Sequence, residues 1–226
     1  MKHLKKDRIL TILPGSSDIA CNKHKKRYDL IVNHAKKIGY QEISIITYPG
    51  QHSHDSMTSK LSFKSSVSQG VKILTKMETK KVSYDIVCLS YGCNILLEVL
   101  NKVELNFVRR ISLWGPTPKI VFFNLLVKNK KTIFRKALGD LKVRYSENLY
   151  EEIPGFEIQL ADYSRPHKIY MSTGTDDTYS TPEYFNFLFS LFKKEKRFHF
   201  IEPINGLGHS VSVENDTYLK FLFGDN

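Results

Sequence analysis

The sequence predicts an α/β protein, a three-layer α/β/α sandwich on a mostly parallel six-stranded sheet with one short insertion. Three observations carry that expectation. Short apolar or β-branched runs alternate along the chain with longer stretches of helical hydrophobic spacing, and parallel neighbours need such crossovers. One run, Tyr84-Asp85-Ile86-Val87-Cys88-Leu89, passes into a helical pattern (Ile95, Leu96, Val99, Leu100) across a single sharp reversal at Ser90. The 226 residues suffice for one substantial core, and no apolar run reaches the length of a membrane span.

Arg8–Leu13 reads as the first strand, cut off by Pro14-Gly15-Ser16-Ser17-Asp18, and a helix over about 22–38 completes a βα unit. Ile43–Thr47 is the second strand, closed by Tyr48-Pro49-Gly50. The polar segment Gln51–Lys64 reads as a loop lining a site, and a helix over about 65–80 leads into the third strand, Ile86–Leu89. After the helix that follows Ser90 comes a fourth strand, Arg110–Trp114, stopped by Gly115-Pro116-Thr117-Pro118. The alternation then lapses over about 119–161, where an apolar cluster from Val121 to Val127 precedes Lys128, Lys130, Lys131, Arg135 and Lys136. It resumes with a fifth strand at Lys168–Thr173. Thr181-Pro182 supplies a capping hydroxyl and a proline suited to the first helical turn, so a helix is expected to about Lys194. Arg197–Ile201 is the sixth strand and Val213–Phe223 the last helix. No repeat or linker divides the chain, so residues 1–226 read as one domain with an insertion over about 117–162.

Composition excludes more than it assigns. The net charge of +11 invites a polyanion, but the lysines are spread over the whole chain and no aromatic-and-basic recognition pattern accompanies them. No nucleic-acid partner is expected. The N-terminal residues lack the apolar core of a signal peptide, and Cys21, Cys88 and Cys93 lack metal-ligand spacing. A reduced, cytoplasmic protein without stable membrane insertion is expected. His52, His54 and Asp55 have no further ligand in spacing, so no metal site is read there.

Ligands of open parallel sheets bind beyond the carboxyl ends of the strands. There the chain carries Pro14-Gly15-Ser16-Ser17 after the first strand, Ser90 after the third, Asp176-Asp177 after the fifth, and Gly206-Leu207-Gly208-His209 after the sixth. Serine is a poor nucleophile until a base takes its proton, neutral imidazole suits that task near neutrality, and a carboxylate fixes the imidazole tautomer. Taken singly, His209 also fits a surface loop and Asp177 a turn or cap. The strand-end positions and the order Ser, Asp, His favour a shared site.

Cys88-Leu89-Ser90-Tyr91-Gly92 resembles the G-x-S-x-G nucleophile elbow of the α/β-hydrolase family, with Cys88 in place of the first glycine. The resemblance covers nearly the whole chain from Ile9 onward. The segment before Ile9 is too short for the two antiparallel strands that open the fuller family fold, so a trimmed core is implied. The family pattern Gly-x-x-Asp maps onto Gly174–Asp177 and selects Asp177 as the acid, with Asp176 as fallback. The preceding turn, Gly115–Pro118, offers no carboxylate. The oxyanion donors implied are the backbone N–H groups of Tyr91 and Ser16, with Ser17 as the alternative to Ser16. The insertion falls where the family carries its lid. It reads equally as a cover over Ser90 and as an excursion that completes the core with solvated charges. Cys88 and Cys93 read as packing residues. The function implied is a serine hydrolase acting on a small-molecule ester or thioester through an acyl-enzyme, with Ser90, His209 and Asp177 as the triad and no cofactor. An acyltransferase or peptidase using the same triad, and a non-catalytic binding protein on the same fold, are the alternatives. The sequence leaves a homo-oligomer open.

Overall fold

The computed structural model describes residues 8–16, 22–51, 61–128, 134–136, 142–144, 146 and 148–224. β1 (Ile9–Leu13), α1 (Asn22–Lys37), β2 (Glu42–Ile45) and α2 (Phe63–Thr79) form the first half of the alternation. β3 (Tyr84–Leu89) runs through Ser90 into α3 (Tyr91–Leu100), and β4 (Val108–Trp114) follows. The insertion holds α4 (Lys119–Lys128), β5 (Phe134–Lys136), β6 (Lys142–Arg144), α5 (Leu149–Glu152) and α6 (Phe156–Ala161). β7 (Ile169–Ser172), α7 (Pro182–Phe192), β8 (Phe198–Phe200) and α8 (Asp216–Phe223) complete the chain.

Six strands form one sheet in the order β2-β1-β3-β4-β7-β8, and every neighbouring pair is parallel. Strand residues alternate between two packed layers, as the two-residue period of a strand requires. Ile9, Leu13, Ile86, Cys88, Ile111, Leu113, Ile169 and Met171 face one layer with residues of α2, α3 and α7. Leu10, Ile12, Val87, Leu89 and Trp114 face the other, with Tyr28, Ile31 and Ala35 of α1 and Tyr218, Leu219 and Leu222 of α8. Full burial of such a side chain contributes about 1.5–3 kcal/mol, so the sheet with its two covering layers is the main source of stability.

The helix starts follow their caps. Ser62 accepts from Ser65 N–H, which starts α2 at Phe63, two residues before the expected Ser65. Lys64 therefore belongs to a helix and not to the expected polar loop, while 52–60 lie outside the described residues. Asn215 accepts from Tyr218 N–H and starts α8 at Asp216, three residues after the expected Val213. Thr181 caps α7 with Pro182 in its first turn, as expected.

The insertion adds to the core in part. Leu149, Ile153, Phe156 and Leu160 are buried in the α2–α3 layer, and Phe122 packs edge-on against Tyr91 with ring centroids 5.5 Å apart. The antiparallel β5–β6 pair was not expected, because its short strands (Phe-Arg-Lys and Lys-Val-Arg) carry no apolar alternation. Lys130 and Lys131 lie outside the described residues, as do the side chains of Phe123, Leu125, Leu126 and Val127. At the amino ends of the strands, opposite the Ser90 rim, buried Asp85 accepts from Tyr40 Oη and from the Arg109 guanidinium, and Arg8 lies 3.8 Å away. No helix among the described residues is long and apolar enough to cross a membrane.

Candidate active site

β3 delivers Ser90 to the carboxyl edge of the sheet with φ 55° and ψ −122°, a left-handed conformation that costs a non-glycine residue about 1–3 kcal/mol. Two contacts hold it there. Ser90 N–H donates to Trp114 C=O at 2.9 Å, tying the reversal to the neighbouring strand. Two residues on, a Cβ at Gly92 would stand 2.2 Å from Leu13 O and 2.8 Å from Pro14 O. Only glycine lets α3 start this close to the end of β1. Cys88, where the elbow pattern has its first glycine, is fully buried beside Leu13 in the sheet register, and the core accommodates its side chain. Burial and the nearby Cys93 push its thiol well above the ordinary range, so it is a packing group rather than a thiolate. Cys93 Sγ sits 3.6 Å from Trp114 C=O, and both cysteines are free thiols.

The acid and the base arrive on two loops locked together. Gly174 bridges to Ile204, Asp176 N–H donates to Leu207 C=O at 2.9 Å, and a Cβ at Gly174 would lie 1.8 Å from that carbonyl oxygen. The result places Asp177 Oδ2 2.8 Å from His209 Nδ1. Thr173 Oγ1 lies 3.0 Å from Asp177 Oδ2 but nearer, at 2.7 Å, to Ser180 C=O, so its one proton is shared between them, and Oδ1 accepts from Tyr179 N–H and Ser180 N–H, each at 2.8 Å. Burial alone would push this carboxyl up. The bond and charge of His209 and the two backbone donors outweigh it, so Asp177 ionises below the usual aspartate range. An ionised carboxylate only accepts, so Nδ1 of neutral His209 carries the ring proton and Nε2 keeps its lone pair. Asp176 is exposed and its carboxylate accepts from Thr175 Oγ1, so it takes no part in the pair.

The pair stands beside the elbow. Trp114 Nε1–H donates to His209 C=O at 3.2 Å, so one residue of β4 holds both Ser90 and the histidine loop. At the next position, a Cβ on Gly115 would lie 3.1 Å from His209 Nδ1 and from Asp177 Oδ2. The Tyr179 ring packs on the imidazole, with centroids 5.0 Å apart. Ser90 Oγ itself does not bond the imidazole: its partner among the described residues is Thr117 Oγ1, at 2.9 Å.

Of the two expected oxyanion positions, Tyr91 lies within the elbow and Ser16 in the turn after β1. Tyr91 begins α3, its ring packed edge-on between Tyr48 and Phe122 and its hydroxyl donating to Ser66 Oγ at 3.2 Å. Gly15 and Ser16 follow β1, and buried Gln51 donates through Nε2 to both of their carbonyls, at 2.9 and 3.0 Å. Ser17 lies outside the described residues, as do His52, His54 and Asp55. Among the described residues no group of three metal-ligating side chains converges.

Sequence reasoning missed Trp114, Thr117 and Gln51. Thr117 had a signal: it lies in a strand-end turn, though one without a carboxylate. Gln51 is read as part of a polar loop, yet it is buried and supports the turn after β1.

No family model matches the sequence, and no curated protein does. Solved structures do. A monoacylglycerol lipase of Paleococcus ferrophilus superposes with a TM-score of 0.65 at 15% identity, over 95% of this chain and 93% of its own. Est1E from Butyrivibrio proteoclasticus gives 0.62 at 11% identity, over 97% of this chain and 87% of its own. An extracellular α/β-hydrolase from a Paenibacillus species gives 0.59 at 13%, over 95% and 97%. With its parallel six-stranded sheet, covering helices and strained serine turn, this chain has the α/β-hydrolase fold.

Proposed function

We propose that this protein is a serine hydrolase that cleaves a carboxylic ester or thioester through an acyl-enzyme. The observation that carries this reading is a strained serine at a helix start, on the same sheet edge as an Asp177–His209 pair bonded in the order a base requires. In the first half-reaction His209 Nε2 takes the Ser90 hydroxyl proton as Oγ attacks the carbonyl carbon. The electron pair displaced onto the carbonyl oxygen is held by the backbone N–H groups of Tyr91 and Ser16; one such donor is typically worth ~3 kcal/mol of barrier. Asp177, ionised and fixed by its other donors, stabilises the imidazolium that forms. The imidazolium then protonates the leaving alcohol or thiol, and a water activated by His209 repeats the sequence to release the acid. No cofactor enters these steps.

The esterases and lipases of similar fold support this class of reaction at the level of fold. The test is hydrolysis of short-chain p-nitrophenyl esters by the wild type and by Ser90→Ala. The expected result is a loss of at least about a thousandfold in kcat/KM; equal rates reject the reading.

A further inference from the structure

Thr117 lies in the turn after β4, between Pro116 and Pro118, and is only 2% exposed. Among the described residues its hydroxyl has two neighbours: Ser90 Oγ at 2.9 Å and Gly115 C=O at 3.4 Å. A threonine hydroxyl carries one proton, and a carbonyl oxygen only accepts. Both contacts are satisfied together in one arrangement, with Thr117 donating to Gly115 C=O and Ser90 donating to Thr117. The serine proton that attack must deliver to His209 is then engaged elsewhere.

The turn that holds Thr117 is itself held. Asn94 of α3 donates through Nδ2 to Thr117 C=O at 3.4 Å, and its own C=O accepts from Gln159 Nε2 of α6 at 2.9 Å. Asn94 and Gln159 are buried, so Thr117 is fixed by packed polar groups rather than by solvent.

We propose that Thr117 is a positioning residue for the nucleophile. By accepting the Ser90 hydroxyl proton it holds the serine in a resting orientation, and acylation begins when that bond is exchanged for one to His209 Nε2. No covalent bond changes in the exchange; the same proton turns from one acceptor to another. This inference rests on the serine-hydrolase reading.

The experiment measures the second-order rate of Ser90 labelling by a fluorophosphonate, per folded protein, in the wild type and three variants. Thr117→Val keeps the shape and removes the acceptor, and Thr117→Ala removes it without a branched side chain to seat. Thr117→Ser keeps it. Release of a neutral hydrogen bond of ordinary net strength predicts labelling about threefold to tenfold faster in the Val and Ala variants, with Thr117→Ser at the wild-type rate. A merely structural role lowers the labelled fraction and accelerates nothing. Val and Ala variants labelled at or below the wild-type rate overturn the role of Thr117 while leaving the hydrolase reading in place. A wild type not labelled at Ser90 overturns both.

Discussion

At Asp177, Oδ2 faces His209 Nδ1 and Oδ1 accepts from the Tyr179 and Ser180 N–H groups. Asp177→Asn keeps the size and replaces one acceptor by an NH₂. In either amide orientation that group confronts donors, the His209 Nδ1–H on one side or the Tyr179 and Ser180 N–H groups on the other. The imidazole loses its tautomer control, and kcat is expected to fall by roughly 10³–10⁴-fold with KM little changed, which Michaelis kinetics on an ester turned over by the wild type will check. The same residue predicts a pH effect on stability. Its carboxyl titrates lower in the folded than in the unfolded chain, so the ionised form stabilises the fold above the unfolded value of about 3.9, and that contribution disappears as pH falls through the folded value. The gap in urea midpoint between wild type and Asp177→Asn should be widest above about pH 5, begin to narrow at about pH 4, and close only once pH has fallen through the folded value. Asp177 and His209 were legible because each follows a strand beside glycine. Thr117 was legible only by its place in a strand-end turn, since a threonine between prolines carries no mark of which side chain will lie across from it.

Among the elements, the β3–Ser90–α3 reversal is specified most tightly. Alanine at an ordinary helical glycine gains up to ~1 kcal/mol from propensity. At Gly92 the added Cβ meets the Leu13 carbonyl at 2.2 Å, and that atom is backbone, which cannot swing aside. Overpacking of this kind costs about 1–3 kcal/mol or more, so Gly92→Ala should destabilise despite its helix preference. Urea denaturation will decide, and an unchanged or raised midpoint would refute the close approach. The strands were readable from their apolar runs because two buried faces leave little room for polar residues. Helix starts were less so: α2 begins at the residue after capping Ser62, where the sequence offers several serines that could cap equally well. The β5 and β6 segments carry no apolar alternation in the sequence to betray them. For the insertion, buried Leu149, Ile153, Phe156 and Leu160 favour its role in completing the core, which sequence alone left balanced against a cover over Ser90.

Across the whole molecule, several phenols are sealed in as neutral groups. Burial, reinforced by the adjacent Asp85 carboxylate, pushes Tyr40 up to about 12, and burial raises Tyr163 to about 12. Tyr84 and Tyr184 are raised further, by burial and by Glu78 and Glu157 respectively. A phenol raised in the folded state stabilises the fold fully below its unfolded value near 10 and loses that contribution as pH climbs through the folded value. Alkaline unfolding is therefore expected to set in above about pH 10, with part of the tyrosinate absorbance rising together with the loss of helical circular dichroism. Ionisation of all the tyrosines with the fold intact would contradict this.

The fold as a whole was legible from alternation and strand-end chemistry, and its likeness to solved α/β-hydrolase structures spans nearly the full chain at 11–15% identity. The convergence of Ser90 and His209 on one reaction is tested most directly by mapping, with peptide mass spectrometry, where a fluorophosphonate attaches. The account predicts one modified residue, Ser90, with labelling lost in Ser90→Ala and slowed by orders of magnitude in His209→Ala. A label on another residue, or a Ser90 label that forms equally fast without His209, would contradict it.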